Sequence, residues 1–215
     1  MKIYCIPGLG FDHRIFSKLD LGSYKTANLD WIEPEKEETF RSYVERLAQP
    51  IDDSSPVALI GHSMGGMASQ EIAQFKTVSK IFLISSIKSR EELPVFFKSV
   101  GPTGLYKFFT KDLTLNSFKY WDKFHDYDTP EEQALFRDMV GKNTNHYLQW
   151  ALKRLSHWQS PEPPAHTHIV HIHGDNDKTF PLRYIKSPRT VIKEGGHFMV
   201  YKNHEQISSI IRSHL

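Results

Sequence analysis

The 215-residue sequence predicts an α/β fold: a mostly parallel sheet of about six strands flanked by helices, with a long helical insertion before the fifth strand. Three observations predict it. Short apolar runs alternate with stretches of helical periodicity along the chain, and strands alternating with helices imply parallel neighbours joined by right-handed crossovers. The third run, Val57-Ala58-Leu59-Ile60, enters the turn Gly61-His62-Ser63-Met64-Gly65-Gly66, and a helix-like run leaves it. Two later runs end in short polar loops, His173-Gly174-Asp175-Asn176-Asp177 and Gly195-Gly196-His197.

In order, residues 2–6 form the first strand and Pro7-Gly8-Leu9-Gly10 breaks it. Asp12 then caps a short helix over 13–19. Residues 24–29 are the second strand. The helix over 39–49 places Phe40, Tyr43, Val44 and Leu47 on one face. After the third strand and the helix over 64–75, residues 80–85 are a buried fourth strand, with Ile81-Phe82-Leu83-Ile84 at its centre. Residues 168–173 and 189–192 are the fifth and sixth strands, and the last helix covers 203–213. In such a sheet, functional groups lie beyond the carboxyl ends of the strands.

Composition narrows the class. Hydrophobic residues make up 39% and charged residues 24%, as in a globular domain. A net charge of +2 without a dense basic tract argues against nucleic acid as a partner. Twelve histidines imply that net charge rises below pH 6. Cys5 is the only cysteine, which excludes an intramolecular disulfide and fits a reducing cytoplasm. The opening residues are too short for a signal-peptide core before Pro7 and Gly8, and no apolar run is long enough to span a membrane.

The serine turn has a physical reading. To stand above a sheet, Ser63 must adopt a strained backbone conformation while the chain reverses around it. Side chains at the flanking positions would collide, hence Gly61 and Gly65. The following helix directs its positive end at the serine, and the Met64 N–H faces the place where an oxyanion would form. A serine hydroxyl needs an imidazole to take its proton and a carboxylate to orient that imidazole. His197 and an aspartate of the 173–177 loop stand at the ends of the strands that could supply them. Aspartates also serve turns, so the residues alone leave Asp175 and Asp177 both open as the acid. His62 adjoins Ser63 and is read as packing.

With these motifs the chain resembles the α/β-hydrolase family along essentially its whole length. Gly61 to Gly66 is similar to that family's nucleophile elbow, and serine, acid and histidine follow in its chain order. His173-Gly174-Asp175-Asn176-Asp177 resembles its H-G-x-x-D loop, which makes Asp177 the acid. Pro7-Gly8-Leu9-Gly10-Phe11-Asp12 resembles its first oxyanion loop, which makes a backbone N–H near Leu9 the second donor beside Met64. Two features depart: Pro7 stands where many relatives carry histidine, and the usual opening antiparallel hairpin is missing, so no antiparallel edge is expected.

The resemblance implies a serine carboxylesterase like small bacterial enzymes, acting on a small-molecule ester without cofactor or metal. Thioesters and lactones stay open, as does an acyl carrier met by Lys98, Lys107, Lys111, Lys119 and Lys123. Two other readings compete. The chain could be a non-catalytic binding protein on this fold, which labelling with a fluorophosphonate would discriminate. It could bind a dinucleotide through Gly8-x-Gly10 and Asp30, but the third glycine of that motif falls on His13. The histidine-rich run 166–173 suggests a metal site at first; His166 and His168 share one strand face and His171 and His173 the other, so they do not converge.

The expected core is residues 1–85 and 168–215, with residues 86–167 as a helical cap over the serine. Thr129-Pro130-Glu131-Glu132 starts a helix that Gly141 stops, and Asn143 or Thr144 starts another that runs to Trp158. The insertion holds 14 of the chain's 27 aromatics. They build either a core of the cap's own or an apolar pocket wall for an acyl group, with Phe96, Phe97, Phe108, Phe109 and Trp121 as the first candidates.

Overall fold

The computed structural model describes residues 1–117, 127–186 and 190–215. Six strands form one sheet: β1 (Ile3–Ile6), β2 (Thr26–Asn28), β3 (Val57–His62), β4 (Val78–Ile84), β5 (His168–Gly174) and β6 (Thr190–Ile192). Their order is β2-β1-β3-β4-β5-β6, and every pairing is parallel. The expected parallel sheet without an antiparallel edge is therefore present. β2 is shorter than the expected 24–29 because it is an edge strand with β1 as its one neighbour. β3 runs past Ile60 to His62, where it pairs with Ile84, so Ser63 is the first residue beyond the ladder. Arg189, expected to open the last strand, lies outside the described residues.

The helices are α1 (Phe40–Leu47), α2 (Met64–Ile72), α3 (Val95–Val100), α4 (Lys111–Asn116), α5 (Pro130–Gly141), α6 (Asn145–His157), α7 (Met199–Lys202) and α8 (His204–His214). The expected single C-terminal helix is α8, with the one-turn α7 ahead of it and Asn203 between them. Caps stand where side-chain chemistry placed them. Asp12 accepts from Arg14 N, Thr39 and Ser42 cap α1 reciprocally, and Thr129 and Glu132 do so for α5.

Strand alternation divides the core between the two sheet faces. Tyr4, Ile6, Leu59, Ile81 and Leu83 pack with α1, α2 and α6. Ile3, Ile60, Phe82, Ile84 and Ile172 pack with α5 and α8. Met64 is wholly buried in the first cluster.

The buried side chains of α5 and α6 join the two core clusters of the sheet. α5 adds Phe136, Met139 and Val140 to the cluster of α8, and α6 adds Tyr147, Leu148 and Trp150 to that of α1. The Trp150 ring lies 4.4 Å from that of Tyr43, and its Nε1–H donates to Glu38 O at 2.9 Å. The turn between α5 and α6 is tied to the loop after β1: Asn143 Nδ2 donates to Gly10 O at 3.1 Å. Phe118, Tyr120, Trp121, Phe124, Lys119 and Lys123 lie outside the described residues. Among the described residues, no helix is long and apolar enough to cross a membrane.

Candidate active site

Ser63 is held at φ 52°, ψ −120°, outside the conformations an L-residue prefers. Such a residue costs roughly 1–3 kcal/mol and persists only where its surroundings over-determine it. Here they do. Ser63 N donates to Ile84 O at 3.0 Å, and Ser63 O accepts from Gly66 N at 3.0 Å and from Ser86 Oγ at 2.6 Å. A Cβ on Gly61 would stand 2.5 Å from Gly65 O, and one on Gly65 would run into the Ile6 and Pro7 carbonyls. Both glycines are required, as the turn's chemistry demanded.

β5 and β6 deliver the other two groups. His197 Nε2 is 3.0 Å from Ser63 Oγ, and His197 Nδ1 is 2.9 Å from Asp177 Oδ2. With the proton on Nδ1, His197 donates to Asp177 and accepts from the Ser63 hydroxyl. Asp177 Oδ1 accepts from Thr179 N and Phe180 N, each at 2.9 Å. Burial pushes the Asp177 pKa up. The charge and hydrogen bond of His197 and the nearby His173 and Phe180 N–H outweigh it, so the carboxyl stays below its usual 3.8. Asp175 is exposed and does another job: its Oδ1 accepts from Glu194 N at 2.6 Å, holding the turn at Glu194.

His62 is more than packing. Its Nε2–H donates to His197 O at 2.8 Å, and the Phe11 ring meets it edge-on. Burial first, then the neighbouring His197, pushes its pKa down to about 3, so it is neutral. The loop after β1 closes on the same place, since a Cβ on Gly8 would stand 2.7 Å from His62 Nδ1 and 3.0 Å from Ser63 Cβ. Among the described residues, neither the Leu9 nor the Met64 N–H has a backbone acceptor. Asp30, the residue of the dinucleotide reading, is occupied by His13 N at 2.6 Å and His13 Nδ1 at 2.5 Å.

His171 and His173 share one buried strand face, as the alternation required. Each imidazole donates to a carbonyl: His171 Nε2 to Ser86 O at 2.9 Å and His173 Nε2 to Phe180 O at 2.7 Å. Burial lowers both pKa values, that of His171 to about 3. Among the described residues, no group of three or more His, Cys, Asp or Glu could hold a metal ion.

Sequence reasoning missed Ser86 and Phe180. Ser86 stands just past the end of β4, a position that the parallel sheet marks as functional. Phe180 packs edge-on to His197 at 5.4 Å and to Phe97 at 5.7 Å. Of the other proposed pocket aromatics, Phe109 is half-buried against the core, while Phe96 and Phe108 are exposed.

A strained serine after β3 and an imidazole and carboxylate after β6 and β5 belong together on one known fold. Residues 3–209 match the alpha/beta hydrolase family, and the chain belongs to it. Solved structures share the fold along the full chain. An esterase from Exiguobacterium antarcticum superposes with a TM-score of 0.70 at 15% identity, covering 100% of this chain and 91% of its own. A lipase-esterase related protein from Clostridium acetobutylicum gives 0.69 at 17%, covering 100% and 94%. MenH from S. aureus gives 0.72 at 17%, covering 98% and 91%. Comparison with curated protein sequences gives no match.

Proposed function

We propose that this chain is a serine carboxylesterase that works through an acyl-enzyme. The observation that carries the reading is the hydrogen-bonded line from Ser63 Oγ through His197 to Asp177, with the serine at the apex of a strained turn. Ser63 Oγ attacks the ester carbonyl while His197 Nε2 takes its proton. Asp177 fixes the tautomer and stabilises the imidazolium. The Leu9 and Met64 N–H groups receive the oxyanion; removing one such donor typically costs about 10²–10³ in turnover. His197 then protonates the leaving alcohol, and the acyl group remains on Ser63. Water, deprotonated by His197, attacks the acyl carbon and releases the acid. No step calls on a metal or an organic cofactor.

Residues 86–167 act as the cap. α5 and α6 close on the loop that carries Leu9, and Phe97 with Phe180 forms the wall beside His197. The substrate is a small-molecule carboxylic ester. The same groups serve thioesters and lactones, so the substrate class must be measured. The test is fluorophosphonate labelling of purified protein, followed by a panel of ester, thioester and lactone substrates. Labelling at Ser63 with ester turnover is expected. An unlabelled Ser63, or ester hydrolysis surviving in Ser63→Ala, overturns the reading.

A further inference from the structure

Apolar surface is left uncovered on one stretch of the insertion. Among the described residues, five of the eight large hydrophobic side chains that remain exposed lie within residues 95–113: Val95, Phe96, Leu105, Phe108 and Leu113. Phe108 is 72% exposed, Val95 70% and Phe96 61%. Scattered single residues need no explanation, but a cluster of this kind marks a contact surface.

The stretch lies along one side of α6 and runs antiparallel to it. Gly101 abuts Ser156 and His157. Lys153 Nζ stands over the Tyr106 ring, Gln149 Nε2 donates to Lys107 O, and Asn145 Oδ1 accepts from Lys111 N. Contacts thus descend α6 from its last residue to its first while the strip ascends. A helix of this length spans about 20 Å, so the strip that carries these exposed side chains runs beside it as a band of about that length.

Two further facts select the occupant. Between residues 95 and 113 the sequence has Lys98, Lys107 and Lys111 but only one acid, Asp112. Apolar tips among lysines match a surface that is anionic outside and hydrocarbon beneath. The net excess of two positive charges is small beside five exposed hydrophobic side chains, which favours lipid over an acidic carrier protein. The band also leads to the site. Phe96 lies 5.4 Å from Phe97, Phe97 5.7 Å from Phe180, and Phe180 5.4 Å from His197. An acyl chain leaving a lipid surface along this row keeps an aromatic wall beside it up to the imidazole.

We propose that the band formed by residues 95–113 docks the enzyme on an anionic lipid surface, from which it takes an amphiphilic acyl ester. This rests on the esterase reading above and names the substrate class for it.

The test is flotation with two vesicle populations, phosphatidylcholine alone and phosphatidylcholine with roughly one third phosphatidylglycerol. Wild type and Ser63→Ala should both float with the anionic vesicles, weakly with the neutral ones, and less at high salt. Val95→Ser combined with Phe108→Ser should lower the partition coefficient at least about tenfold. The same double variant should hydrolyse p-nitrophenyl acetate and take the fluorophosphonate label as wild type does, which shows it is folded. No binding to anionic vesicles overturns the proposal, as does equal binding by the double variant. So does a dimer in light scattering that the double variant abolishes, or tighter binding to a purified acidic acyl carrier than to vesicles. Flotation does not depend on catalysis. Absent flotation with Ser63 labelled sinks only the docking, and an unlabelled Ser63 sinks the esterase reading.

Discussion

His62 donates its Nε2–H to the main-chain carbonyl of His197 across 2.8 Å. The residue before Ser63 thus holds the loop that carries His197, whose Nε2 stands 3.0 Å from Ser63 Oγ. His62→Phe removes this donor and with it one hydrogen bond, a loss of about 0.5–1.5 kcal/mol. We expect kcat to fall roughly tenfold with KM little changed. His62→Asn keeps an N–H and should recover part of the loss. The pH profile of kcat/KM should keep its shape in both, because His62 titrates only at about 3. A new titration in His62→Asn, or equal rates in the two variants, argues against this positioning role.

In the proposed mechanism Ser63 and His197 act as one unit. Ser63→Ala and His197→Ala should each lower ester turnover roughly 10⁴-fold or more, and the double variant should be hardly worse than either. Steady-state kinetics on p-nitrophenyl acetate measures this. Additive losses would mean that the two residues do not share a proton.

The two aspartates of the 173–177 loop separate by their partners. Asp177 meets His197 Nδ1 and two backbone N–H groups. Asp177→Asn should therefore lower turnover roughly 10³–10⁴-fold through the wrong imidazole tautomer. Asp175 meets the Glu194 N–H on the surface. Asp175→Asn should shift urea stability by at most about 1 kcal/mol and leave turnover near wild type. The reverse pattern would reassign the acid.

These relationships show what the sequence could and could not carry. Gly61, Ser63 and Gly65 were legible because the constraint is local: three residues in a strained turn collide unless two are glycine. Asp177 was not fully legible, since choosing it over Asp175 depends on where His197, twenty positions later, comes to rest. His62 and Ser86 were opaque for the same reason; each has a backbone carbonyl distant in sequence as partner. The insertion's aromatics were countable but not placeable. Trp150 joins the core beside Tyr43, whereas Phe108 faces outward, and composition does not distinguish the two.

The abundance of histidine suggested ready protonation below pH 6, but the buried members oppose it. His62 and His171 have pKa values of about 3 in the folded chain against 6.5 for the ordinary side chain. The unfolded chain therefore binds more protons, and stability falls as pH drops from 6.5 towards 3. Each histidine contributes a slope approaching 1.4 kcal/mol per pH unit, so the pair should remove about 3 kcal/mol between pH 6.5 and 5. His173, also lowered, acts in the same direction. Asp177 contributes outside this window, because its stabilisation is lost only as pH falls below the usual carboxylate range. Urea midpoints at constant m measure the effect. In His171→Gln the slope should shrink by close to one proton. A slope unchanged by that substitution would contradict the account.

The wall beside the imidazole sets the chain-length preference of the proposed esterase. Phe97 reaches the site through Phe180, whereas Phe108 stays exposed. Each methylene that the pocket buries contributes up to about 0.8 kcal/mol, roughly fourfold in kcat/KM. A series of soluble p-nitrophenyl esters from acetate towards decanoate should therefore rise, reach a maximum at the pocket's depth and fall. Phe97→Ala should move that maximum to longer chains by opening the wall. Phe108→Ala should leave it in place, because that ring is largely exposed. If Phe108→Ala moves the maximum and Phe97→Ala does not, the acyl chain lies along another wall. A flat profile in wild type would mean that the row of rings serves only packing, and that the substrate is small or polar.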